Sequence, residues 1–363
     1  MKNLSTEARL LSLILKSGSI SRRELQKKTA LSWGSVSEAT SELLRREIVL
    51  ETKENGSAPG RTPGLLCANP ERNRCLGIDV NLAGFTFVVC DLGGNILEKQ
   101  TFSPASISRE EVLTLLFRVT RNLEKSFGSF FSIGISMQGA VDRKTGVSLH
   151  APKFTDWENV PLRDLFSREF GVPVRLYHDP DCLMSYHLRR TFSPSVRNAL
   201  VLRLDSGVGM SLLIEHRIYE GNGNAGEIGH TVVCPDGLPC TCGKSGCLEA
   251  YCSENGMAAQ AGLSVEEFRA RAQSEDSATK ELLARCGTVL GRTAANLFLL
   301  FDPEILCLDG SMTVYFEKLR PNFFAQIPAS FHKRVLVLPF RSEVAPVGAV
   351  LRTVDELYRT LLD

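Results

Sequence analysis

Apolar residues recur at helical spacing at the start of the chain. Leu4, Ala8, Leu11, Ile14 and Leu15 share one face of residues 4–17, and Gly18 ends the run. Ser21-Arg22-Arg23-Glu24 reads as a capping box, the serine oxygen accepting from the third amide of the helix while the glutamate reaches back. A short helix runs from there to Thr29. Ser32 then caps a third helix over residues 33–46, with Val36, Ala39, Leu43 and Leu44 turned inward. Two short β-like runs, 48–52 and 65–67, flank a Gly/Pro-rich stretch and predict a hairpin. Three short helices, the second and third tightly joined, followed by a hairpin, predict a winged helix-turn-helix over residues 1–70.

A different pattern begins near Cys75. Apolar strands at 76–81 and 84–89, a turn at Asp91-Leu92-Gly93-Gly94-Asn95, an amphipathic helix over 108–126 and a buried strand running into a turn over 132–139 predict an α/β lobe. A strand over 172–177 leads into His178-Asp179-Pro180-Asp181. A long apolar-faced helix covers 276–300, and a last helix covers about 347–361.

The 363 residues, 43% apolar, suffice for two or three domains with sizeable cores. The net charge of +1 hides an asymmetry: residues 1–75 hold 13 Lys+Arg against 8 Asp+Glu, a net of +5, which leaves −4 on the remainder. A basic front end on a slightly acidic body points to a nucleic-acid module joined to something else. On that reading Trp33, Gly34, Ser35, Ser37 and Glu38 face base edges in the major groove, while Arg22, Arg23, Lys27 and Lys28 neutralise phosphates. Arg61, on the hairpin tip between Gly60 and Pro63, suits a narrow minor groove. Eleven cysteines, an odd number without a secretory signal, fit a reduced cytoplasm better than a disulfide framework. The apolar run 10–15 is too short to span a bilayer, so a cytoplasmic protein with no membrane partner is expected.

The chemistry concentrates in Gly226-Glu227-Ile228-Gly229-His230 and Cys240-Thr241-Cys242-Gly243-Lys244-Ser245-Gly246-Cys247-Leu248-Glu249. His230, Cys240, Cys242 and Cys247, spaced ten, two and five apart, can close a tetrahedral Cys₃His zinc site. Glu227 and Glu249 bracket it, and ionised carboxylates are acceptors that orient several O–H donors, as a pocket for hydroxyl groups requires. Cys234 and Cys252 lie near enough in sequence to compete as ligands; the other cysteines sit in apolar contexts and read as packing residues.

This string resembles the signature of the ROK family (repressors, open reading frames, sugar kinases), and the resemblance runs through nearly the whole chain. It implies a two-lobed ribonuclease-H-like domain of the actin and hexokinase superfamily over 74–363. The first lobe would take about 74–180 plus the C-terminal helix, and the second about 181–345 with the zinc site. It further implies that His230 holds zinc through one ring nitrogen and touches a sugar through the other, and that Glu227 and Glu249 bind sugar hydroxyls. Asp179 aligns with the general base of the kinases, His178 stands where they carry Asn, and Trp157-Glu158-Asn159-Val160-Pro161-Leu162 matches the approach to the pocket, which adds Asn159 to the sugar set. The front end resembles the winged helix of ROK repressors, including its Gly-Arg-X-Pro tip.

The phosphate loops depart from the kinases. Asp79-Val80-Asn81-Leu82-Ala83 replaces Asp-X-Gly-Gly-Thr, and Asp205-Ser206-Gly207-Val208-Gly209 replaces Gly-Thr-Gly-X-Gly. Asp309 takes a third glycine's place. Side chains and negative charges now stand where a phosphate needs room and amide donors. The expectation is therefore a sugar-sensing, DNA-binding transcriptional regulator of carbohydrate genes, repressor in type, with structural Zn²⁺ and no ATP. Its expected partners are a palindromic operator, a sugar or sugar-phosphate effector, and further copies of itself in a homodimer or homotetramer. The rival expectation is an active ATP-dependent ROK sugar kinase, glucokinase-like or N-acetylhexosamine-kinase-like, with Asp179 catalytic. A third is a constitutive DNA-binding protein whose sensor lobe serves only for dimerisation.

Overall fold

The computed structural model describes residues 5–53, 64–82, 84–103, 108–151, 154–221, 225–274 and 276–361. Leu4 and Arg61 lie outside them. Ser5 caps α1 (Thr6–Ser17), which buries Leu10, Leu11, Ile14 and Leu15. β1 (Ser19–Ser21), a strand the sequence pattern did not announce, feeds α2 (Arg22–Thr29). The capping box of α2 forms as expected: Ser21 Oγ accepts from the Glu24 amide at 3.3 Å, and Glu24 Oε2 accepts from the Ser21 amide at 3.0 Å. Ala30, with φ of 56°, turns the chain, and Ser32 caps α3 (Trp33–Arg45). β2 (Val49–Lys53) and β3 (Gly64–Ala68) pair antiparallel, with β1 on the other side of β3.

Two five-stranded sheets follow, built on one plan. In the first, β4 (Cys75–Asn81), β5 (Gly84–Cys90) and β6 (Ile96–Phe102) form an antiparallel meander. After α4 (Arg109–Phe127), β7 (Ser132–Met137) returns parallel to β4. A small separate sheet of β8 (Ala140–Asp142), β9 (Val147–His150) and β10 (Glu158–Val160) intervenes, then α5 (Leu162–Phe170), then β11 (Val174–His178) parallel to β7. The order is β11-β7-β4-β5-β6. After α6 (Asp179–Arg190) comes the second meander, β12 (Ala199–Leu204), β13 (Val208–Ile214) and β14 (Arg217–Ile218). The helices α7 (Leu248–Cys252), α8 (Glu254–Ala261), α9 (Val265–Gln273) and α10 (Ser277–Phe301) lead to β15 (Ile305–Asp309). α11 (Phe316–Phe324) leads to β16 (Val335–Val337), and the sheet order is β14-β13-β12-β15-β16. β4, β7 and β12 are buried at every residue, and coverage on both faces explains why apolar side chains dominate them, with Asp79 and Arg203 as charged exceptions.

The last helix, α12 (Val344–Leu361), crosses back onto the first sheet. A Cβ on Gly77 would stand 2.2 Å from the Pro346 carbonyl oxygen, and one on Gly134 2.5 Å from that of Ala349; only glycine lets the helix lie directly on β4 and β7. α6 packs along α12 and reaches β12 and β13 as well. The expected boundary at residue 180 therefore cuts into a helix shared by both lobes. One core cluster runs from Leu10, Leu25 and Val36 through Tyr177 and Leu183 to Val201 and Val347, so the N-terminal unit packs on the layer that joins the lobes.

Candidate functional site

The carboxyl ends of β4, β7, β11, β12 and β15 converge between the two sheets, where open α/β sheets bind their ligands. A cleft opens there, with about 690 Å³ of empty space counting the open solvent at its mouth. Five of the six residues expected to face a sugar line it: His178, Asp179, Glu227, His230 and Glu249. Asn159 does not. It stands exposed on β10 with φ of 48°, turned out to solvent. Its stretch of chain reaches the cleft through Phe154 instead, whose ring packs 5.3 Å from that of the buried Trp157.

Asp179 opens α6 at the end of β11 and is buried. Burial pushes its carboxyl up to about 6; Arg203 and His178 pull it down, while Asp79 and Asp205 push further up. His178 Nε2 lies 3.5 Å from Asp179 Oδ1 and 3.7 Å from Glu227 Oε1, so the imidazole stands between two acids. Glu249, in the first turn of α7, accepts from the Val208 amide at 3.1 Å. Several fixed acceptors, an imidazole and the Gln138 amide around one cleft suit a polyhydroxyl ligand.

Sequence reasoning missed the centre of this site. The Arg203 guanidinium contacts three carboxylates: Nε with Asp205 Oδ2 at 2.7 Å, Nη2 with Asp79 Oδ2 at 3.2 Å and Nη1 with Asp179 Oδ2 at 3.2 Å. One signal was available, a charged residue within the otherwise apolar strand Ala199–Leu204. A second cavity of about 610 Å³ lies on the far side, lined by Asp79, Thr86, Asp309 and Arg341 among others; Asn81, Arg203 and Asp205 line both. Asp309 has a structural partner too, its Oδ2 lying 2.7 Å from Nε2 of the buried His187.

His230, Cys240, Cys242 and Cys247 offer donor atoms that all lie within 4.8 Å of one another. His230 Nδ1 is 3.6 Å from Cys240 Sγ, and the Sγ atoms of Cys242 and Cys247 are 3.7 Å apart. With Nδ1 turned to the thiols, Nε2 is left for the cleft that His230 lines. Burial, and then the Cys242 and Cys240 thiols, push Cys247 up to about 12, so a cation is what would make it a thiolate. Three sulfurs and one imidazole fit a soft or borderline metal ion. Cys234 and Cys252 are outside the cluster; Cys252 is buried, with its Sγ 3.7 Å from the Cys286 carbonyl oxygen.

In the N-terminal unit Arg23, Lys27, Lys28 and Glu38 are exposed, Trp33 is 49% exposed, and Ser35 and Ser37 are half-buried on α3. Arg22 needs a correction. Its guanidinium donates to both Glu51 carboxylate oxygens, at 2.6 and 3.1 Å, and to Thr40 Oγ1 at 3.1 Å, tying α2 to α3 and β2. A phosphate would have to displace Glu51. Among the described residues no helix is long and apolar enough to cross a membrane.

The architecture is thus a two-lobed α/β protein with a polar cleft between matched sheets and a Cys/His cluster at its rim. The ROK family model matches residues 75–348, and the chain belongs to the ROK family. It is 27% identical over 316 residues to a xylose repressor of Bacillus spizizenii, covering 84% of this chain and 81% of that protein. The structure of a ROK family transcriptional regulator, a homologue of the Escherichia coli Mlc protein, superposes with a TM-score of 0.78 at 24% identity, over 98% of this chain and 96% of that one. A ROK family glucokinase from Streptomyces griseus, solved with glucose and AMPPNP, superposes at 0.66 and 23% identity, over 76% of this chain and 98% of its own.

Proposed function

We propose that the chain is a sugar-responsive, DNA-binding transcriptional regulator of the repressor type, acting on carbohydrate genes. Residues 1–70 are read as a winged helix-turn-helix and residues 74–363 as a ribonuclease-H-like sensor. The observation that carries the reading is the unequal state of the two cavities. The cleft keeps His178, Asp179, Glu227, His230 and Glu249 for hydroxyl groups, while Asn81, Arg203 and Asp205 form a wall between it and the second cavity. A hydroxyl at Asp179 is walled off from any phosphate on the other side, so the site is suited to binding and not to phosphoryl transfer. Zn²⁺ held by His230, Cys240, Cys242 and Cys247 would fix the loop that carries Glu227, His230 and Glu249. That loop and Asp179 belong to different lobes, so a sugar held by both favours one arrangement of the lobes over others. The N-terminal helices pack on the layer joining the lobes and would follow, changing how two copies match a palindromic operator.

The test is a genomic DNA pull-down with the full chain, eluted with xylose, glucose, N-acetylglucosamine and their phosphates one at a time. Selective release by one sugar supports the reading; DNA retained regardless of sugar leaves a constitutive binder. The kinase reading draws on Asp179, whose raised pKa suits a base. ADP production dependent on one sugar and lost in Asp179→Asn would replace the regulator reading with it.

A further inference from the structure

Arg203 sits on β12 at a position where the alternation of the strand calls for a core residue. Leu200, Leu202 and Leu204 enter the core of the second lobe, while Ala199 and Val201 enter the core shared between the lobes. Arg203 follows on that shared face and is 5% exposed. Its backbone is fixed from both sides, paired with Gly209 on β13 and Asp309 on β15. Each of its three guanidinium nitrogens faces a different aspartate, two of them from the first lobe: Asp79 on β4 and Asp179 at the head of α6. Two of the carboxylates are anchored from behind. Asp79 Oδ1 accepts from Ser136 Oγ at 2.5 Å, and Asp205 Oδ1 accepts from the Ser311 amide at 2.6 Å. Three aspartates held this close need a positive charge between them, since buried like charges repel strongly.

We infer that Arg203 is a protein-borne cation that fastens the two lobes to each other at the floor of the cleft and divides the cleft from the second cavity. It fills a three-carboxylate cation site from within, so the cleft keeps its shape without an added cation. Arg203 is in these terms a positioning residue: it sets where the Asp179 carboxylate stands and how far the lobes part. The inference rests on this ion cluster alone, not on which ligand the cleft takes, and its probes are inorganic.

The experiment uses the full chain with Arg203→Ala and follows thermal melting with Mn²⁺ or methylguanidinium at millimolar concentration, with the wild type measured alongside. The expected result is a lowered melting temperature in Arg203→Ala. Either cation should restore it by about 5 °C, as for a ligand well above its dissociation constant. The wild type should not respond, because its own guanidinium already holds the site. Arg203→Lys, which keeps the charge, should melt above Arg203→Ala and respond less to either cation. If Arg203→Ala does not fold in metal-free buffer, the yield of folded chain on refolding with and without the two cations becomes the readout. An Arg203→Ala protein, folded or refolding, that is indifferent to both cations overturns the inference and leaves an ordinary buried ion cluster. A wild type that gains as much as the variant overturns it too, by placing the cations elsewhere.

Discussion

Asp179 is the point where stability and function oppose each other. Burial raises its carboxyl from 3.8 to about 6 despite the Arg203 contact. At about 1.4 kcal/mol per unit, the ionised side chain costs the folded state about 3 kcal/mol at neutral pH. The penalty is absent below about 4, where folded and unfolded chains are both protonated. It grows as the pH rises through the interval in which only the unfolded chain ionises, and is complete above about 6. Asp179→Asn keeps the shape and removes the charge. The variant is therefore expected to be more stable than the wild type by about 3 kcal/mol at pH 7.5 and to match it near pH 4. The assay is urea denaturation of both full chains at several pH values, taking the difference so that titrating groups remote from Asp179 cancel. The same variant should weaken the sugar response, because the amide replaces one acceptor oxygen and the negative charge with an N–H donor. A variant less stable than the wild type at pH 7.5 would refute the reasoning: the attraction of Arg203 would then outweigh burial, and Asp179 would be there to hold the fold.

Three further outcomes follow from the geometry. Cys240→Ser should lower zinc in the purified protein from about one ion per chain to near zero and weaken retention against a chelator on the order of 100-fold, measured by elemental analysis; unchanged metal content would remove the centre. Arg22→Ala should destabilise the N-terminal unit by about 0.5–1 kcal/mol and leave the salt dependence of DNA binding unchanged, whereas Lys27→Ala should reduce the slope of log K against log salt by about one, in binding titrations at several ionic strengths. Gly348→Ala should cost about 3 kcal/mol or more, because its Cβ would stand 1.9 Å from the Cys182 carbonyl oxygen where α12 presses on α6; a melting curve near wild type would show that the two helices part easily.

Whatever rests on local spacing was legible along the chain. The capping box at Ser21 and Glu24, the Ser32 cap, the long helices and the buried strands were all legible because each depends on residues a turn or a pleat apart. The cluster of His230 and three cysteines was legible for a related reason: donors confined to one short loop can come together whatever surrounds the loop. The family signature carried Asp179 and the two glutamates to the cleft as well. Which charges meet across the lobes is set by the packing of elements far apart in the chain. Arg22 looked like a phosphate contact until β2 brought Glu51 against it, and Asn159 looked like a sugar ligand until the backbone of β10 turned it outward. The side chains standing where the family resemblance leads one to expect glycines could be read residue by residue. That Asp79, Asp179 and Asp205 close on Arg203 could not, because they come from different elements and their proximity is set by how two sheets pack around α6 and α12. An isolated charge in an apolar strand announces that a partner exists; only the folded chain says which one.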